Sequence, residues 1–211
     1  MVLPALNLSH EEFFLGLRIA YSFEEKGIIL EGITWSAKCH VGENRRSGEK
    51  FHSHLLFVAW MIAFMNLSAH AVVAALLHDA IEHGKITRED ILRRFGSFHG
   101  SIILAYVDAL TEDKAKNLIC YFQQITIASV SDWEIFVIKI VDRYHNILTP
   151  FCRDAKTELA YLDETLKDLY LMCLVCRQFV PLAKKNVVDE CLAELINLAM
   201  SKRDRLLNRV A

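Results

Sequence analysis

His78 and Asp79 stand together at the end of the apolar run Ala74-Ala-Leu-Leu77. An imidazole and a carboxylate in such a place are costly to bury unless they are paired or bound to a metal. Glu82 follows at i+4 from His78 and i+3 from Asp79, spacings that on a helix put all three on one face. A carboxylate that close can orient a water. His83, at i+4 from Asp79, lies at the edge of the same patch. The plainer reading is a helix end that reaches solvent.

Two further clusters carry comparable residue types. In Lys139-Ile-Val-Asp-Arg-Tyr-His-Asn146, Asp142 and Asn146 are i and i+4 and share a face. Ile135, Phe136, Ile138, Ile140, Val141 and Ile147 surround them, so this carboxylate is either an ion-pair partner at the core edge or a functional group. In Arg45-Arg-Ser-Gly-Glu-Lys-Phe-His-Ser-His54 a basic loop runs into the apolar helix LLFVAWMIAF. His52 and His54 are two apart, so in a helical turn at most one points at a given site. Arg45 and Arg46 offer the planar donor forks that hold phosphate; the alternative is a solvated basic loop.

The elements that must position these groups are helices. Three prolines and eight glycines are few turn-formers for 211 residues, and 53% of the chain is hydrophobic. That argues for long helices around a packed core and against an all-β sandwich or barrel. Capping-box patterns stand at Ser9–Glu12, Thr87–Asp90 and Ser131–Glu134. Pro150 closes one helix and Pro181 separates two late ones. Helices are expected near 9–26, 51–65, 68–83, 88–95, 97–111, 114–130, 132–149, 155–179 and 184–208, with boundaries good to about 2–4 residues. Residues 27–50, with four glycines, read as a loop. No internal repeat or linker is evident, so the chain reads as one all-α domain over 1–211.

Twenty-four basic and 26 acidic residues give a formal net charge of −2, without the basic excess of a dedicated DNA- or RNA-binding domain. Mean hydropathy is +0.23, yet no uncharged apolar run reaches the roughly 18 residues that a membrane span needs. The start MVLPALNLSHEEFF lacks a basic segment and turns acidic early, unlike a signal peptide. Six scattered cysteines read as reduced thiols, and a cytoplasmic location is expected. Cys173 and Cys176 form a CxxC, but within LYLMCLVC they read as small hydrophobes of a helix. Trp35, Trp60 and Trp133 read as packing residues. His40 reads as structural, and His10, His70, His99 and His145 show no partner pattern. The last helices, including SKRDRLLNR, suit a solvated end or a homo-oligomer contact.

Taken in order, a His, then His-Asp, then a distant Asp resembles the metal-dependent phosphohydrolases of the HD superfamily. SAKCHVGENRRSGEKFHSHLLFVAWMIA, AVVAALLHDAIEH, ILRRFGS and VIKIVDRYHNILT resemble one branch closely, the alarmone hydrolase domain of the RelA/SpoT family, including its small single-domain members. That family's pattern is similar to RxSGExYxxH, then HDxxED, then KxADRxHN. The likeness covers a core of about 34–150, followed by the helices of 155–208. It implies an HD-domain helical bundle of about nine helices.

By this resemblance His54, His78, Asp79 and Asp142 are metal ligands. Two imidazoles and two carboxylates suit a divalent ion of intermediate hardness. The family implies Mn2+; the ligand types alone also admit Fe, Co, Ni or Zn. Glu82 matches the catalytic glutamate, Arg45 an arginine on the nucleotide side, and Asn146 an asparagine near the sugar. Arg46 and Lys50 are nearby cations for phosphate. The family's Glu-Asp pair is Glu82-His83 here, and its Pro-Tyr is Lys50-Phe51. Imidazole can also accept or donate a proton near neutral pH, so His83 can assist Glu82, shift the pH optimum or mark another substrate. The implied substrate is guanosine tetra- or pentaphosphate, losing its 3′-pyrophosphate. The rival readings are hydrolysis of another phosphorylated nucleotide, such as NADPH or an adenosine alarmone, and a sensor that binds without turnover.

Overall fold

The computed structural model describes residues 21–149 and 154–210. The expected helix start at Ser9 and the stop at Pro150 lie outside them. Among the described residues the structure is all-α. Its β pairing there is one isolated antiparallel bridge, Asn44 to Lys50. None of the described helices is long and apolar enough to cross a membrane. The contacts divide the chain into two compact units, residues 1–114 and 115–211.

The first unit is built on helices α1 (Phe23–Cys39), α2 (Phe51–Phe64), α3 (Ala69–Leu77) and α4 (Arg88–Leu110). α3 is its centre and packs against the other three. Ala69 and every residue from Ala71 to Leu77 are buried, which is why AVVAALL shows no polar face. Each fully buried Leu or Val there contributes about 1.5–3 kcal/mol. Ser68 caps its start by accepting from the Ala71 N–H at 3.1 Å.

α1 corrects the expected loop over 27–50. Ser22 accepts from the Glu25 N–H at 3.2 Å, and the Glu25 carboxylate accepts from the Ser22 N–H at 2.7 Å. This capping box starts a helix that runs through Gly27 and Gly32. Gly32 is a contact and not a breaker: a Cβ there would come within 3.1 Å of Val73. The remainder, 41–50, is loop as expected.

α4 carries the second capping box, Thr87 with Asp90, as the sequence predicts. Gly96, at φ +74, breaks it into two arms, matching the expected division at 88–95 and 97–111. The 68–83 helix is shorter than expected. It ends at Leu77, and residues 78–84 are turns.

The second unit comprises α5 (Leu118–Ser131), α6 (Glu134–Leu148), α7 (Ala155–Glu164), a π-helical segment Thr165–Leu169, α8 (Tyr170–Cys176), a 3-10 turn Arg177–Phe179 and α9 (Leu182–Val210). α6 is buried over most of its length and packs against α5, α8 and α9. Ser131 closes α5 and does not cap α6; the Asp132 carboxylate accepts from the Glu134 N–H at 3.1 Å instead. Cys173, Cys176 and Cys191 are buried free thiols, and burial raises the pKa of each. This agrees with their reading as small hydrophobes.

Candidate metal centre

His54 lies one turn into α2 and is 2% exposed; His78 caps the C-terminus of α3 and is 4% exposed. Their rings meet edge to face with centroids 5.4 Å apart, and a ligand nitrogen of each lies within 4.8 Å of the other. His78 is oriented from both sides. Its Nδ1 is 2.8 Å from the Ala75 carbonyl, and its Nε2 is 3.3 Å from Asp79 Oδ1. An Nδ1–H held by a backbone carbonyl fixes the tautomer that leaves Nε2 to act as a ligand. His52 is directed elsewhere, with Nδ1 3.3 Å from Ser36 Oγ. So His54 alone of the two joins His78, as their spacing requires.

The turn after His78 keeps the motif compact without an α-helix. The Ala80 N–H donates to Leu77 O at 2.9 Å and the His83 N–H to Asp79 O at 3.0 Å. Gly84, at φ +65, then reverses the chain, a conformation that L side chains rarely adopt. Glu82 is partly exposed and pairs with Lys114 at 3.2 Å.

The basic loop is folded on itself. The Arg45 N–H donates to Glu49 O at 2.8 Å, and the Gly48 N–H to Arg45 O at 2.9 Å. The Arg45 guanidinium also pairs with the Glu49 carboxylate. Arg46 and Lys50 are exposed. Ser47 Oγ is enclosed with no hydrogen-bond partner among the described residues.

In the second unit Asp142 is 5% exposed on α6. Its Oδ2 accepts from Lys139 Nζ at 3.0 Å and its Oδ1 from Asn146 Nδ2 at 2.7 Å. The i, i+4 relation to Asn146 therefore holds as a direct bond. Burial works against the Lys139 charge, but Tyr121 and the Asp142 carboxylate outweigh it and raise the Lys139 pKa. The ammonium also lies 5.2 Å from the Tyr121 ring centroid. The neighbouring Arg143 serves the core: it donates to Glu164 at 2.6 Å and to Thr165 at 3.1 Å, and stacks over Tyr161.

One functional candidate reads as structural in the sequence. His40, at the end of α1, is 3% exposed, and its Nδ1 lies 2.8 Å from Glu43 Oε2. Burial lowers its pKa and Glu43 opposes that. The hydrogen bonds from Lys85 and His40 hold the Glu43 carboxylate below the usual range. His40 and Glu43 share one turn, but Lys85 comes from a distant one, and no periodicity in the sequence links the two segments.

Two buried imidazoles with ligand nitrogens this close, one touching a carboxylate, fit a divalent ion of intermediate hardness. An all-α fold with an ordered His, His-Asp arrangement defines a class, the HD domains. The HD-domain family model matches residues 33–170, and the chain belongs to that family. Within it the chain is similar to proteins of the RelA/SpoT type. It is 30% identical over 189 residues to the guanosine-3′,5′-bis(diphosphate) 3′-pyrophosphohydrolase of Haemophilus influenzae, covering 82% of this chain and 27% of that protein. It is 31% identical over 157 residues to a GTP pyrophosphokinase of Myxococcus xanthus, covering 68% of this chain and 20% of that one. It is 34% identical over 113 residues to the bifunctional (p)ppGpp synthase/hydrolase SpoT of Escherichia coli K12, 52% of this chain and 16% of that protein. The chain thus spans about a quarter or less of the length of these relatives.

Proposed function

We propose that the chain is a metal-dependent phosphohydrolase that removes the 3′-pyrophosphate of guanosine tetra- or pentaphosphate, giving GDP or GTP and pyrophosphate. The observation that carries this reading is the buried His54–His78 pair joined to Asp79, in the motif order shared with hydrolase-named relatives. His54, His78, Asp79 and, by its motif position, Asp142 would hold the ion, which is Mn2+ in the family this chain resembles. A bound divalent ion supplies Lewis acidity that acidifies water and offsets phosphoryl charge.

The chain's own residues divide the remaining work. Glu82, partly exposed, takes a proton from the attacking water. The water oxygen joins the phosphorus next to the ribose, the bond from that phosphorus to the 3′-oxygen breaks, and the 3′-oxygen takes a proton. His83 supplies an imidazole at the position of the resembling motif's carboxylate. Arg45, Arg46 and Lys50 hold phosphates; Arg45 does so by exchanging Glu49 for the ligand. Asn146 hydrogen-bonds the nucleotide.

The test is a panel of guanosine alarmones, an adenosine alarmone and NADPH, incubated with the Mn2+-loaded protein. Pyrophosphate released from the guanosine alarmones at the highest kcat/KM is the expected result. Orthophosphate from NADPH, or tight nucleotide binding without product at any metal concentration, would overturn it.

A further inference from the structure

We infer that His40, Glu43 and His83 form a second metal site, for a borderline divalent ion such as Zn2+, Co2+ or Ni2+. Each of the three offers a ligand atom within 4.8 Å of the others'. Two imidazoles and one carboxylate favour such ions over Mg2+ or Ca2+, which prefer oxygen donors.

The arrangement around His40 points to a ligand. Its side chain is fully enclosed, and Nε2 has no hydrogen-bond partner among the described residues. Leaving such a nitrogen buried and unsatisfied is costly. Its other nitrogen faces the Glu43 carboxylate at 2.8 Å, a contact that Glu43 gives up, as it does Lys85, when it turns to the ion. Phe51 stacks on the His40 ring with centroids 4.5 Å apart, fixing its plane. The same Phe51 meets the edge of His83 at 5.0 Å, and the His40 and His83 centroids are 6.0 Å apart at 75°. One aromatic wall therefore seats both imidazoles.

Glu43 is held from the outside by Lys85, whose side chain is about a third exposed and can swing to solvent when a cation takes the carboxylate. His83 is exposed and gives the ion an entry path. It also occupies the position where the resembling family has a carboxylate, so this donor set belongs to this chain and not to the shared motif. The site does not depend on the His54–His78 pair and stands or falls apart from it.

The test is equilibrium dialysis of the whole chain against Co2+, read by metal analysis and visible absorption. It uses the parent, Asp79→Ala, and Asp79→Ala combined with His83→Ala. His83 is a surface residue, so its removal spares the core. The parent is expected to bind two ions, Asp79→Ala to keep one, and the combined variant to lose it, with at least a tenfold drop in affinity and loss of the remaining absorption band. The inference is overturned if Asp79→Ala already binds none, or if adding His83→Ala changes neither count nor spectrum. No ion lost on Asp79→Ala but one lost in the combined variant would sink the proposed catalytic metal site and leave this one standing.

Discussion

The two units carry their key polar groups in opposite ways. In the first, His54, His78 and Asp79 meet at helix ends and turns, and imidazoles face each other across 5.4 Å. In the second, Asp142 sits in the middle of a buried helix, and Lys139 and Asn146 from the same helix already engage both its oxygens. The first arrangement brings imidazole nitrogens together within reach of one ion. The second neutralises a charge locally, before any ligand enters. Buried imidazole can wait as a neutral group, whereas a buried carboxylate needs a counter-charge at once.

The sharpest way to break this contrast is at its charged member in each unit. Asp79→Ala should abolish turnover, a loss well beyond the ~10–100-fold typical of outer-shell partners. It should leave the far-ultraviolet circular dichroism almost unchanged, since Asp79 lies in a turn. Lys139→Met should do the reverse. It strips the buried Asp142 of its ammonium, and urea unfolding should show a loss of about 3–5 kcal/mol. A stability change at Asp79 matching that at Lys139 would erase the distinction between the units.

Alkaline pH sharpens the contrast further. Burial pushes the Cys191 thiol from 9.0 up to about 12, and burial followed by the Glu194 charge pushes Tyr144 from 10.0 to about 12. Above pH 9 the unfolded chain ionises these groups while the folded one does not. Stability is therefore full below pH 9 and falls progressively towards pH 12. Urea midpoints measured between pH 8 and 11 should fall, and Cys191→Ala should flatten that slope at some cost in packing. The smallest effect belongs to the α1 cap. Ser22→Ala should cost about 1 kcal/mol, read as a lower thermal midpoint, with metal binding intact.

The motif residues were legible because each cluster is local. His78 and Asp79 are neighbours, and Asp142 and Asn146 are one turn apart, so ordinary helix spacing exposes them. What local spacing does not reveal depends on distant partners. Gly27 and Gly32 suggested a loop over 27–50, but Gly32 is small because α3 lies against it. Ala80 and Ile81 extended the apolar pattern past Leu77, where a left-handed Gly84 in fact reverses the chain. His40 looked structural because its partner His83 is far away in sequence and lacks any shared period.

The π-helical segment Thr165–Leu169 has a further consequence. Such a bulge amounts to one residue inserted into a regular helix. Removing a single residue there would restore the regular ladder, yet it would rotate everything downstream by about 100°. Tyr161 and Glu164, upstream, would stay beside Arg143 while Thr165 and the helix after it turned away. The chain is thus intolerant of deletion at this point. A one-residue length change here should do more harm than most substitutions, because it alters the phase of an entire helix and not one contact.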